Sequence, residues 1–467
     1  MSQSVHRDPV HTKTVEADGV VESPRRLPIR RDVDVLVCGG GPAGCGAALA
    51  AAREGARTLL VERHGMLGGL WTAGLLNPFF ECIGRGYVVQ DLIDRLAAAG
   101  AWRPWYYSHT FDVEVMARTL EVMAADAGVE LLYHTLVADA IVEGDRVRGV
   151  VIESKAGRQA VLAKVVIDAT GDGDVAARAG CAYEFGRLAD GLVQPMTLMF
   201  EIRGAGEFPE MNAAPPLYDA MTKAIAEHGL DYHMPIQRTN AAPWIIHTPA
   251  PGSAAVQMTH VYRMNPLDPA DLTRATIETR RQAHEAIKVL RRVPGLKKIE
   301  LVRTAPQIGV RETRRILGRH YLTLDDLAAG RSFPDAVTAC AFVVDIHTID
   351  PNSDAPIAHE AKSRPYEIPY RCMLPQDRRG LLLSGRCISG SHEAHASYRV
   401  TGTAMAIGQA AGLAAAWAVR DKLDLDQVPG DRLRAALADR GARFLDSGTI
   451  KHHKPPATDQ AGQGGHQ

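Results

Sequence analysis

The chain has 467 residues, 46% of them hydrophobic and 23% charged, with a formal net charge of −1. That length points to two or three domains, and the balanced charge argues against a nucleic-acid or anionic-membrane partner. No run approaches the roughly 18 apolar residues of a membrane span, and residues 1–30 contain no apolar leader core, so the sequence reads as cytoplasmic. Seven cysteines occur, none at C-x-x-C spacing. This excludes dithiol redox chemistry and a zinc ribbon, and it fits reduced thiols.

Residues 1–30 are polar and proline-punctuated and read as a tail or an outer strand. Residues 33–62 follow as VDVLVCGGGPAGCGAALAAAREGARTLLVE. An apolar strand is predicted over 33–38 and an alanine-rich helix over 45–53, with a second strand over 58–61. Between strand and helix stand Gly39, Gly41 and Gly44, flanked by Pro42 and Ala43. Gly39 permits the tight turn, Gly41 lets a pyrophosphate approach the backbone, and Gly44 lets the helix lie close on the strand. The helix start offers free N–H groups and partial positive charge. Glu62 ends the second strand, placed for a ribose hydroxyl. Together these form a dinucleotide-binding unit.

The segment RHGMLGGLWTAGLL, with Gly65, Gly68, Gly69 and Gly74, reads as a loop able to form an anion nest. Amphipathic helices are expected over 90–99 and 111–127 and a strand over 129–137. A hairpin should pair 140–143 with 146–152, and another strand should run over 160–167. That last strand leads into DATGDGD, which puts Thr170 and Gly171 at its carboxyl end, where α/β sheets bind ligands. From about residue 183 the βα rhythm stops. Strands are expected over 196–202, 244–247, 256–261 and 338–346, and a long helix over 272–290. Residues 380–383 resume as an apolar strand, LLLSGR, followed by a loop over 387–399. A helix rich in glycine and alanine follows over 400–419. Residues from about 451 are compositionally disordered.

These stretches together resemble the FAD-dependent oxidoreductase family of the glutathione-reductase-like flavoprotein superfamily over most of residues 32–420. The resemblance rests on DVDVLVCGGGPAG, the LGG loop at 67–69, VVIDATGDGD, GVRETRRILG at 309–318, and YEIPYRCMLP with LLLSGRCIS and GTAMAIGQAAG. It implies a Rossmann-like α/β FAD-binding domain with a β-meander and an inserted α+β substrate domain. The expected division is a tail over 1–30, FAD-binding parts over 31–182 and 369–445, a substrate domain over 183–368 and a disordered tail over 446–467. Carried over, Gly39, Gly41, Pro42, Ala43 and Gly44 would hold the pyrophosphate and Glu62 the adenosine ribose. Arg63, Gly68 and Gly69 would lie along the ADP half, Val137 at the adenine, and Thr170, Gly171 and Asp172 on the adenosine side. Gly385, Arg386, Gly402, Thr403 and Ala404 would meet the ribityl chain and the pyrimidine edge of the flavin, where a helix N-terminus stabilises negative charge.

A flavin enzyme must orient a C–H bond and remove a proton beside it, and histidine suits the second task. Candidates are His392 and His395, in the loop expected to border the flavin, and His347 in VVDIHTIDP. H-E-x-H is not the H-E-x-x-H zinc spacing, so no metal is expected. Arg311, Arg314 and Arg315 surround Glu312 amid apolar residues. At least one should point inward, to bind a substrate carboxylate or carbonyl or to pair the domains. Arg399 and Tyr398 are further candidates. The favoured activity is a dehydrogenase or oxidase acting on a small polar organic substrate. No second G-x-G-x-x-G is present for NAD(P)H, so electrons would leave to oxygen, a quinone or a carrier protein. A monooxygenase or halogenase ranks second, since SGRCIS stands where aromatic hydroxylases carry G-D-A-x-H. A non-catalytic flavoprotein ranks third. Homo-oligomerisation is left open.

Overall fold

The computed structural model describes residues 13–16, 18–105, 108–206, 208, 214–236, 243–349 and 363–447. The disordered tail expected over 446–467 therefore lies almost wholly outside the described residues. So do residues 1–12 and 350–362.

The first strand, β1 (Ile29–Cys38), is exposed or half-buried until Asp32 and buried from Val33 onward. Its alternation lapses where the strand is buried on both faces. It feeds α1 (Pro42–Arg53), which begins with proline in the first turn, where no N–H is missed. The unit continues through β2 (Thr58–Val61), α2 (Val113–Ala127) and β3 (Glu130–Leu132), then β4 (Leu136–Glu143), β5 (Arg146–Ser154) and β6 (Gly157–Asp168). The sheet order is β3-β2-β1-β6-β5-β4, parallel up to β6 and antiparallel beyond. The sequence predicts one strand over 129–137. It divides because His134 turns to positive φ (52°), and the amides of His134 and Thr135 leave the ladder for the carbonyls of His64 and Glu62.

A second, four-stranded antiparallel sheet is built from β7 (Phe200–Arg203), β8 (Trp244–His247), β9 (Ser253–Gln257) and β10 (Glu300–Thr304). The long helix α3 (Pro269–Leu290) packs on it, and Ala283, Ala286, Ile287 and Leu290 join its core. The strand expected from residue 196 starts later because the Leu198 amide and carbonyl both bond the Thr259 hydroxyl, at 2.9 Å each. A small third cluster, including Leu75, Trp105, Met199 and Ile246, joins this sheet to the first unit.

The chain then returns. β11 (Leu381–Leu383) adds in parallel to the carboxyl half of β6, through Val166–Leu381 to Asp168–Leu383. The amino half of β6 carries the antiparallel hairpin, so one long strand serves both. Residues expected to form a loop instead make the short helix α4 (His392–Tyr398), with Ser391 Oγ accepting from the Ala394 amide. Such a short helix carries too few turns to show helical periodicity in sequence.

Last comes α5 (Thr401–Asp421). It is long and apolar enough to pass as a membrane span, although the sequence reading found no such run, and 89% of its most apolar window is buried inside the fold. It crosses α1 backbone to backbone. A Cβ on Gly408 would stand 2.0 Å from Ala43 O, and one on Gly412 would stand 2.1 Å from Ala47 O.

Candidate functional site

The carboxyl ends of four strands are tied edge to edge. Gly39 N–H donates to Val61 O, Ala169 N–H to Cys38 O, and Ser384 N–H to Asp168 O, at 2.8–2.9 Å. This places the turns after β1, β6 and β11 around one cavity, where an open α/β sheet binds its ligand. Gly39, Gly41, Pro42, Ala43, Glu62 and Arg63 line one part of it, and Gly69, Val137, Thr170 and Gly171 another. Gly385, Arg386 and Ala404 close the far end. A Cβ on Gly41 would meet no protein atom within 4 Å, so the space before the first turn of α1 is open to a ligand. Glu62 is held rigid, accepting from the Gly40 amide at 2.6 Å and the His64 amide at 2.8 Å.

Other residues expected at the cofactor stand just behind this wall. A Cβ on Gly44 would lie 1.8 Å from Gly39 O, so its role is the turn itself. Gly68 N–H donates to Gly40 O, pinning the second loop to the first. Asp172 accepts from Thr313 Oγ1 and from Arg386 Nη2 at 3.0 Å, and it acts on the cavity only through that arginine. Gly402 N–H is taken by Phe80 O, and Thr403 Oγ1 turns to Cys340 Sγ. Asp168 is buried beneath the site, where burial pushes its carboxyl up to about 6 against the Ala176 and Thr170 hydrogen bonds.

A second cavity adjoins the first, and Leu70, Arg386, Arg399 and Thr401 line both. Most of its wall is apolar, including Phe80, Trp105, Trp244 and Phe342, with adjoining rings 5.4–6.0 Å apart. Its polar edge is Arg311, Asp345, His347 and Arg399. Arg399 Nη2 donates to Asp345 Oδ2 at 2.8 Å. His347 Nε2 lies 3.5 Å from the same oxygen, and its Nδ1 lies 3.4 Å from His260 Nε2. Burial works to raise the Asp345 carboxyl, yet His347, Arg399 and Arg311 hold it well below the usual range. Burial and Arg311 pull His347 down to about 4, so its ring is neutral at ordinary pH.

The other candidates lie elsewhere. His392 Nδ1 meets Glu312 Oε1 at 2.8 Å, behind the cavity wall. His395 is fully enclosed, edge-on to Tyr398, and burial keeps it neutral. Both sit on α4, which packs beneath the site and lines neither cavity. Arg314 pairs with Asp174 at 2.9 Å and stacks over Tyr183. Arg315 binds Glu312, Glu184 and the carbonyls of Gly186 and Gly390. Tyr398 OH donates to Ile388 O.

Sequence reasoning missed Asp345, His260, Ser384, Gln307 and the aromatic wall. Asp345 was within reach, because Val343, Asp345 and His347 line the cavity at period two, as an extended segment facing it requires. Ser384 follows β11 directly, at the carboxyl end of a strand already identified.

Buried polar atoms without a partner among the described residues include Gln307 Oε1, Ser384 Oγ, Arg386 Nη1, Arg399 Nε and Thr401 Oγ1, and all five residues line the cavities. Unpaired buried polar groups are costly. A polar ligand across the junction would satisfy them, which matches a dinucleotide with a hydrogen-bonding ring system.

A sequence model of the family described as FAD dependent oxidoreductase matches residues 34–437. Thiamine thiazole synthase of Methanococcus vannielii is 36% identical over 156 residues, covering 30% of this chain and 56% of that protein. The Aeropyrum pernix enzyme of the same name is 36% identical over 159 residues, covering 31% and 57%. The chain thus spans about half the length of the curated relatives it matches. Among solved structures, p-nitrophenol 4-monooxygenase from Pseudomonas putida aligns at TM-score 0.46 and 11% identity, covering 88% of this chain and 87% of its own.

Proposed function

The chain belongs to the FAD-dependent oxidoreductase family, and from that premise we propose a dehydrogenase or oxidase acting on a small organic substrate in the second cavity. The reading includes placement in the glutathione-reductase-like superfamily, with FAD along the first cavity. FAD, when bound, supplies the two-electron acceptor.

The observation that carries the proposal is the junction of the two cavities at Leu70, Arg386, Arg399 and Thr401, with a neutral histidine on the far side. His347 is the proton acceptor. Asp345 Oδ2 lies 3.5 Å from its Nε2, and His260 Nε2 lies 3.4 Å from its Nδ1. A proton gained there forms an imidazolium beside an ionised carboxylate, the arrangement that makes histidine a competent base despite burial. Arg399 fixes Asp345 through both a backbone and a side-chain oxygen. Gln194 fixes His347, accepting from its amide at 3.1 Å. The apolar wall excludes water from the substrate.

Anaerobic mixing of the FAD-loaded protein with organic acids, alcohols and amines tests this. Bleaching of the visible flavin band without a nicotinamide is the expected result. Bleaching by NAD(P)H alone, with oxygen appearing in the product, would overturn it in favour of a monooxygenase.

A further inference from the structure

We infer that the second cavity takes an organic anion, a carboxylate on a flat apolar body, with the carboxylate seated on Arg311. The inference rests on the reading of this cavity as the substrate site and names what that site selects.

Charge balance supplies the first argument. Three guanidinium groups face the cavity: Arg311, Arg386 and Arg399. Arg386 is paired with Asp172 at 3.0 Å and Arg399 with Asp345 at 2.8 Å. Among the described residues, Arg311 hydrogen-bonds only neutral groups, the Pro195 carbonyl at 2.6 Å and the Thr197 hydroxyl at 2.7 Å, and both bond the same nitrogen, Nη1. Its neighbour Glu312 is already engaged by Arg315, His392 and the Gln194 amide. With His347 and His260 neutral, the described residues of the polar edge carry one positive charge in excess.

Geometry supplies the second. Arg311 lines the wall of the second cavity, and desolvation there pulls its pKa down to about 9. A largely desolvated cation that shares its nearest carboxylate, Asp345, with Arg399 is costly. A fork with one nitrogen anchored and the rest of its donors open to the cavity is suited to a planar carboxylate. A phosphate would bring a second negative charge that lacks a partner. Arg311 lines only the second cavity, whereas Arg386 and Arg399 line both, so the excess charge lies on the substrate side.

The rest of the pocket selects the body. Phe80, Trp105, Trp244 and Phe342 form a continuous aromatic strip beside this edge. Such a strip favours a flat ring or conjugated chain.

The test is a binding titration of the oxidised, FAD-loaded protein with cinnamate and 3-phenylpropionate against their neutral amides, read by flavin absorbance and by calorimetry. The expected result is at least tenfold tighter binding of the acids, lost in Arg311→Met and partly kept in Arg311→Lys. FAD content and melting temperature are checked for both variants. If Arg311→Met fails to retain FAD, the acid-to-amide ratio in the wild type and in Arg311→Lys decides. Equal binding of acid and amide, or an acid preference that survives Arg311→Met, would overturn the inference. Binding without any substrate-driven bleaching would sink the dehydrogenase reading and leave this one standing. Bleaching by neutral substrates with no acid preference would do the reverse.

Discussion

Glu312 is fully buried and joins groups that would otherwise be stranded. Its Oε1 accepts from Arg315 at 2.6 Å and meets His392 at 2.8 Å, while Oε2 accepts the Gln194 amide at 3.3 Å. Gln194 in turn receives the amide of His347. Glu312→Ala should therefore cost about 3–5 kcal/mol, the range for removing one partner of a buried ion pair, and also loosen His347. Thermal denaturation checks this, and an unchanged melting temperature would contradict it. His347→Gln should keep FAD yet slow substrate-driven flavin reduction by about 10²–10⁴-fold, the usual worth of a general base. Because the His347 pKa is pulled down to about 4, the wild-type reduction rate should be flat from pH 6 to 8. It should fall only as the pH approaches 4 and the ring protonates, and an inflection near 6.5 would assign the base to another group. The histidines themselves were visible in the sequence, but their ranking was not. His392 and His395 seemed nearest the flavin by chain position, whereas burial on α4 turned them toward Glu312 and Tyr398.

At the scale of elements, the glycines divide by what surrounds them. A methyl group on Gly41 would touch no protein atom, whereas one on Gly44 or Gly408 would collide with a carbonyl oxygen at 1.8 or 2.0 Å. Gly41→Ala should leave the melting temperature of the FAD-free protein unchanged while weakening FAD binding at least tenfold. Gly44→Ala and Gly408→Ala should destabilise the fold itself by about 1–3 kcal/mol or more, as overpacking does. Melting curves with and without FAD separate the two classes, and equal loss of stability in Gly41→Ala and Gly44→Ala would refute the distinction. Strand, glycine turn and alanine-rich helix were legible because their signals lie within one short stretch. The second sheet was less so. Trp105 and Trp244 meet across the cavity wall from distant parts of the chain, and no local spacing announces such a pair.

For the whole molecule, buried histidines set the response to acid. His260, His347 and His395 all have pKa values lowered by burial. Each is neutral when folded and takes up a proton on unfolding once the pH falls below about 6.5. Each therefore removes stability as the pH drops from 6.5 toward 4, by at most about 1.4 kcal/mol per pH unit. Asp168 works the other way. Its raised pKa of about 6 means the folded state holds a proton that the unfolded state releases above the ordinary carboxylate value. His64, His109 and His320 are lowered by burial as well, so histidine uptake outweighs the proton of Asp168 and predicts a loss of melting temperature between pH 6 and 4. A transition insensitive to pH over that interval would show that these rings are protonated in the fold. Composition and charge gave no hint of this, because eighteen histidines count alike in a sequence and only the fold shows which of them are desolvated.

The strand β6 accepts β1 along one edge and β11 along part of the other, and α5 lies on α1 with almost no side chain between them. A nascent chain thus exposes the glycine turn early but lacks the cavity's far end, from Ser384 to Ala404, until α5 has left the ribosome. Cofactor loading should follow synthesis rather than accompany it. Fragments ending before β11 should emerge without FAD, however intact their first strands.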